Sequence, residues 1–212
     1  MHRPLKLHQT LIPALTLAAA LVAPGLATAQ AQPWQIETNH SSASFKVKHL
    51  MISTVRGHMT GVKGTVALDP KDLAGSSVEA TIDASTINTG NARRDKHLRS
   101  KDFFDVAKHP TITFKSTKVE VIDDETFKVT GNLTMNGVTK EVVLEVEGPT
   151  PPVKNPAGLL TRAFTATTKL NRQDFGISWS KKLDDGGSVV SDKVKIEIDL
   201  AVVQLGPKTA QK

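Results

Sequence analysis

The stretch Phe127-Lys128-Val129-Thr130-Gly131-Asn132-Leu133-Thr134-Met135-Asn136-Gly137-Val138-Thr139-Lys140-Glu141-Val142-Val143-Leu144-Glu145-Val146-Glu147 decides the fold class. On its first arm Phe127, Val129, Gly131, Leu133 and Met135 fall on alternate positions. On its second, Val142, Leu144 and Val146 stand against Glu141, Glu145 and Glu147. A period of two places one set on each face of a strand. Asn136-Gly137 suits the tight turn between them, because a two-residue hairpin loop needs positive φ at both central positions. The segment predicts two antiparallel strands, each with one apolar face.

The same alternation runs outward in both directions. In Ser77 to Ser85 the apolar set is Val78, Ala80, Ile82 and Ala84; later sets are Phe164, Ala166, Thr168, Leu170 and Val194, Ile196, Ile198, Leu200, Val202. Further strands are predicted at Trp34–Glu37, Ala43–His49, Arg56–Leu68 and Thr111–Ile122, giving eight or nine runs. Turn chemistry separates them at Asp69-Pro70-Lys71-Asp72, Asp123-Asp124-Glu125 and Asp184-Asp185-Gly186-Gly187, and a proline-rich surface loop covers 150–156. Only Asn88 to Val106 breaks the pattern; its polar run of good helix formers behind an Asn or Thr cap predicts one short inserted helix or two.

Antiparallel strands with one apolar face close into a barrel or stack as a sandwich. The inward positions Ala80, Ala84, Gly131, Ala166 and Thr168 are small, and the chain has two Trp, seven Phe and no Tyr among 212 residues. A barrel of about eight strands holds one small ligand when its inward side chains are small. The reading is therefore mainly β, an antiparallel barrel of about eight strands with a hollow apolar lumen and a short inserted helix.

Composition removes whole classes of chemistry. No cysteine means no disulfide, thiolate metal site or cysteine nucleophile. Arg3 and Lys6 precede an uncharged run from Leu11 to Ala27 that is broken by Pro13, Pro24 and Gly25. It ends on Ala27-Thr28-Ala29, with Ala29-Gln30-Ala31 as a second small-residue site, and so reads as a cleaved export signal over residues 1–29. Losing Arg3 and Lys6 and no acid lowers the net charge from +6 to +4. The remaining cations are scattered among acids, which argues against a nucleic-acid partner.

The one basic cluster, Arg93-Arg94-Asp95-Lys96-His97-Leu98-Arg99, reads either as an anion-holding rim or as a solvated helix face in which Asp95 pairs with Arg99. His40, His49, His58, His97 and His109 show no metal-binding spacing, and His49 falls in phase with Phe45 and Val47. No nucleophile elbow or glycine-rich phosphate loop occurs. Phe103-Phe104 reads as a plug that anchors the inserted helix, or as one capping ring beside one that meets ligand.

Several blocks resemble the YceI-like family. They are Trp34-Gln35-Ile36-Glu37 with His40-Ser41, Phe45-Lys46-Val47-Lys48-His49, the run Arg94-Asp95 to Val106 closing on His109-Pro110, Gly131 to Lys140, Arg172-Gln173-Asp174-Phe175-Gly176-Ile177, and Val190-Ser191-Asp192. Trp34 and Glu37 stand where the family often has Tyr and Asp. The resemblance implies a lipocalin-like barrel over residues 34–205 with a tail at 206–212, exported to the periplasm. It also implies a long apolar chain held in the lumen and no known catalytic residues; no metal or cofactor is expected.

The expected partner is a long-chain isoprenoid, quinone-like or fatty-acid-derived lipid. No stable membrane insertion is expected, and a homodimer is left open. Phe45, Val47, Ile82, Phe114, Val129, Leu144, Phe164 and Ile196 are the lumen candidates; Arg94, His97 and Trp179 are candidates for the mouth, with His49 and Phe103 as further ligand contacts. Two other readings stand beside this one. One is an enzyme acting on a lipid phosphate through Arg94, Asp95 and His97; the other is a packed β interaction module without ligand.

Overall fold

Asn136 (φ 50°) and Gly137 (φ 74°) take the two left-handed conformations of a tight hairpin turn. They join β7 (Thr126–Met135) to β8 (Val138–Glu147), with Met135 opposite Val138. From this hairpin the sheet extends on both sides in the computed structural model, which describes residues 32–69, 72–181, 183–184 and 187–205. The expected export signal at 1–29 and tail at 206–212 lie outside the described residues, as do Pro70, Lys71, Asp185 and Gly186 of the expected turns.

The other strands are β1 (Gln32–Ile36), β2 (Ser42–His49), β3 (Ser53–Met59), β4 (Lys63–Leu68), β5 (Ser77–Asp83), β6 (Thr111–Val121), β9 (Val153–Lys154), β10 (Leu160–Asn171) and β11 (Val190–Gln204). Pairing runs β11-β1-β4-β5-β6-β7-β8-β10 and returns to β11, an antiparallel barrel of eight strands. The ladder from Thr161↔Val203 to Asn171↔Lys193 closes the ring. β2 continues the line of β1 along the same edge of β11, and β3 pairs with β2.

The run expected as a single strand from Arg56 to Leu68 is two strands. Gly61 turns the chain at φ 72°, and Val62, 1% exposed, leaves the sheet to enter the core between β3 and β4. The proline-rich loop contains the two-residue strand β9, which pairs with β10. A single α-helix among the described residues, α1 (Ala92–Arg99), follows β5. It is capped by Asn91, whose side-chain oxygen accepts from the Arg94 amide at 3.0 Å.

Alternation gives the two ends of the barrel different contents. The turns after β2, β7 and β10 and the whole 84–110 excursion with α1 gather at one end, called here the helix end. The turns after β4, β6 and β8 gather at the opposite end. There Trp34, Ile36, Val62, Val66, Leu68 and Val202 form a packed cluster. The Arg162 guanidinium lies over the Trp34 ring at 5.6 Å. Near the helix end, Met59, Ala84, Ile87 and Ile112 pack together, so Ala84 is buried in a wall cluster and does not face the lumen.

Glycine makes room for the few rings. Gly57 lies opposite Phe45 on β2, and a Cβ there would sit 2.5 Å from Phe45 Cζ and 2.8 Å from Thr89 Cγ2. Gly131, expected to face the lumen, lies under Phe114 in the same way, with 2.5 Å between the added Cβ and the ring's Cζ. Each ring therefore lies flat against backbone where any side chain would lift it into the lumen. We expect Gly57→Ala to cost about 1–3 kcal/mol by overpacking. Pairing it with Phe45→Leu should cost less than the sum of the two single changes, read from urea denaturation in a double-mutant cycle; strict additivity would contradict this packing.

Candidate functional site

The barrel encloses an apolar cavity of about 270 Å³. Along β5 the exposure alternates cleanly, yet the inward Val78, Ala80 and Ile82 are only half-buried because they face this open volume. Of the residues picked out in the sequence, Phe45, Val47, Ile82, Phe103, Phe114, Val129, Leu144, Phe164 and Ile196 all lie in the cavity wall. Ala80, Ala166 and Thr168 are there too, and their small side chains leave the centre open. Leu73 and Pro149 close in from the opposite end; Leu98, Phe104 and Ile177 do so from the helix end. Phe103 and Phe104, adjacent in sequence, thus both meet the cavity.

His49, Arg94, His97 and Trp179 are not part of that wall. His49 ends β2 beside the turn, where its carbonyl accepts from the Ser53 hydroxyl. His97 and Trp179 sit directly behind the cap. The His97 ring stands edge-on to Phe103 at 5.0 Å and to Trp179 at 4.9 Å, and its Nε2 lies 2.8 Å from Asp102 Oδ2. An aromatic layer therefore backs the one ring of the three that meets the cavity.

The basic cluster is occupied by its own backbone. Arg94 donates through Nε to the Thr89 hydroxyl at 2.7 Å and through Nη2 to the Thr89 carbonyl at 2.9 Å. Asp95, 6% exposed, accepts from the Thr89 amide at 2.9 Å and from its hydroxyl. The expected Asp95–Arg99 pair does not form: Arg99 donates instead to the Ser85 and Ile87 carbonyls, each at 2.7 Å. These bonds tie α1 to the 85–89 segment, which pairs in turn with β3 through His58 and Asn88. The helix completes the wall where β3 has no strand neighbour on its far side. Asp83 starts this excursion, and the Ser85 hydroxyl and amide hold its carboxyl below the usual carboxylate range. Its contribution is present above the ordinary carboxylate pKa and is lost as pH falls through the lowered value.

Arg172 is the residue that sequence reasoning passed over. It is 5% exposed and lines the helix end of the cavity. Nη1 donates to the Ile177 carbonyl at 2.6 Å and to that of Trp179 at 2.8 Å. Nε donates to Ser191 at 3.1 Å, and Nη2 to the Val190 carbonyl at 3.3 Å and to Asp192 Oδ1 at 3.0 Å. All five N–H donors of the guanidinium are used, so no donor remains for a guest in the lumen. The signal was the two motifs around Arg172 and Asp192, which carry a charge pair across nineteen intervening residues.

A closed antiparallel barrel with a hydrocarbon-lined cavity and a helical cap defines the structural class. Within it, this chain belongs to the YceI-like family, whose domain matches residues 34–202. It is 39% identical over 168 residues to a UPF0312 protein of Azotobacter vinelandii, covering 77% of this chain and 85% of that one. Among solved structures it is similar to BcnA of Burkholderia cenocepacia, with a TM-score of 0.67 and 25% identity over 78% of this chain and 98% of that chain. A polyisoprenoid binding domain from Saccharophagus degradans, implicated in plant cell wall breakdown, shares the fold at TM-score 0.60 and 15% identity, over 81% and 98% of the two chains.

Removing the Arg172 clamp should strip its five acceptors of their donors. Arg172→Met is expected to lower stability by about 3 kcal/mol or more, because each buried carbonyl left without its donor costs on the order of 1–3 kcal/mol. Arg172→Lys should recover little, since three donors on one nitrogen cannot span these acceptors. Hydrogen exchange should show the amides of 176–189 losing protection first in Arg172→Lys; uniform loss across the barrel would contradict the assignment.

Proposed function

We propose that this protein is a periplasmic binding and carrier protein that holds a long-chain polyisoprenoid, or a similar amphipathic lipid, in the barrel lumen. The observation that carries the reading is the wall itself: the surface it presents is hydrocarbon, with a few Ser and Thr residues among aliphatic and aromatic ones and its one charged member, Arg172, already saturated. Such a cavity offers a guest no hydrogen bond. It offers removal of hydrocarbon from water, on the order of 0.8 kcal/mol per methylene before the costs of association.

Family membership supports a binding role over catalysis, and the named ligand class of the Saccharophagus degradans domain supports an isoprenoid. Export to the periplasm rests on the signal read in residues 1–29. The internal bonding of Arg94 and Asp95 to Thr89 weighs against their acting on a lipid phosphate.

The test is chain length. Protein purified from cells, extracted with organic solvent and analysed by mass spectrometry, should yield a co-purified long-chain lipid. Affinity for isoprenoid alcohols should rise steeply with each added unit and then plateau once the lumen is full. Ala80→Phe, opposite Phe114 on the cavity wall, should lower the affinity for the longest chains at least about tenfold while leaving the fold intact. No co-purified lipid together with no chain-length dependence would overturn the carrier reading.

A further inference from the structure

The hairpin joining β2 to β3 closes in the same backbone conformation as the Asn136-Gly137 turn, with unlike residues. Leu50 (φ 52°) and Met51 (φ 61°) occupy the two left-handed positions, and the Ile52 amide donates to the His49 carbonyl at 3.2 Å. Asn and Gly take this geometry with little strain, whereas large apolar side chains resist it. Leu50 is half-buried, but Met51 is 58% exposed and Ile52, the residue that follows the two left-handed positions, 82%. Two apolar residues are thus kept in water at this tip, one of them, Met51, in a backbone conformation that disfavours it.

Behind this tip the outer face of the barrel carries cations in cross-strand register. Arg56 pairs with Lys46, Lys46 with Lys195, and Lys195 with Lys169, across β3, β2, β11 and β10. Like charges directly opposite one another destabilise a sheet, so fold stability gives no reason for the row. Of the four, Lys46 has an ion pair, to Glu197 at 3.3 Å; the other three have none among the described residues. Exposed Lys48, Lys181 and Lys193 lie nearer the tip, with Asp184 the exposed acid beside them. A shallow groove lined by Lys46, Lys169 and Lys195, with Glu145, Glu197 and Val143, runs over the row.

We propose that this hairpin tip and the cationic row dock the barrel on an anionic phospholipid bilayer, with Met51 and Ile52 entering the interface. An exposed apolar tip backed by lysines matches both layers of such a surface, acyl chains beneath anionic head groups. A second copy of the chain fits poorly, since two such rows brought together repel. The opposite end provides an internal contrast: its exposed Val121 and Ile122 adjoin Asp123, Asp124 and Glu125. Docking at the helix end would set the Phe103–Phe104 side of the cavity nearest the lipid.

The experiment is co-sedimentation of the purified protein with vesicles of phosphatidylcholine plus phosphatidylglycerol, and with phosphatidylcholine alone. Neither contains isoprenoid, so docking is read independently of cargo. Binding is expected to the anionic vesicles alone and to weaken with added salt. Met51→Ser with Ile52→Ser should reduce it at least about tenfold. Lys169→Ser with Lys195→Ser should reduce it by roughly fivefold per charge. Ile122→Ser should leave it unchanged, and no variant should have a lowered melting temperature. Equal binding to both vesicles, binding to neither, or binding that survives the tip and lysine changes would overturn the proposal. So would a tip variant that altered only the sedimenting mass of the free protein. Docking by protein that never holds lipid would sink the carrier reading alone; lipid-loaded protein that fails to dock would sink this proposal alone.

Discussion

Closure of the sheet is the constraint on which the rest of the structure depends. The β10–β11 ladder, unbroken from Thr161↔Val203 to Asn171↔Lys193, joins the last two long strands and turns an open sheet into a ring. A closed ring satisfies its backbone groups by its own pairing and has no long edge to protect. Its curvature is then set by hydrogen bonds and twist, so the centre need not be filled to hold the walls apart. Packed clusters are displaced to the ends and into the wall, around Trp34 and Val202 on one side and Ile87 and Ala84 on the other. What remains between them is the cavity.

Polar groups are disposed so that none competes for that space. Arg172 directs five donors at carbonyls and a carboxylate of the 177–192 region, and Arg94 and Arg99 direct theirs at the 85–89 segment. Both clamps use arginine's fork to bind loop backbone that would otherwise leave buried carbonyls unpaired. They fasten the lid of the barrel and, in doing so, remove charge from its interior. On the proposed carrier role, recognition of a guest falls to shape and length, which suits a hydrocarbon chain and gives little selectivity among head groups.

Much of this was legible in the sequence. Alternation around Phe127–Met135 and Val78–Ile82 gave the strands and their inward faces, Asn136-Gly137 gave the register of a hairpin, and small inward residues with few rings pointed to a hollow centre. The break at Gly61 was hidden, because Val62 and Val66 continue an apolar pattern whether the chain runs straight or turns. Hidden as well were the flat seats of Phe45 on Gly57 and Phe114 over Gly131, which require cross-strand register. The partners of Arg94, Asp95 and Arg99 could not be read from helical spacing: a nearby carbonyl without a partner outcompetes a solvated ion pair.

The central claim is that a long apolar chain lies along the barrel axis. The most direct measurement is intermolecular nuclear Overhauser contact between a long-chain isoprenoid alcohol and the methyl and ring protons of the protein. The account predicts contacts to Ile82, Phe114, Val129 and Leu144, deep in the wall, with none to the outward Val143 or Ile122. Contacts confined to those exposed residues, or to the rim alone, would contradict it.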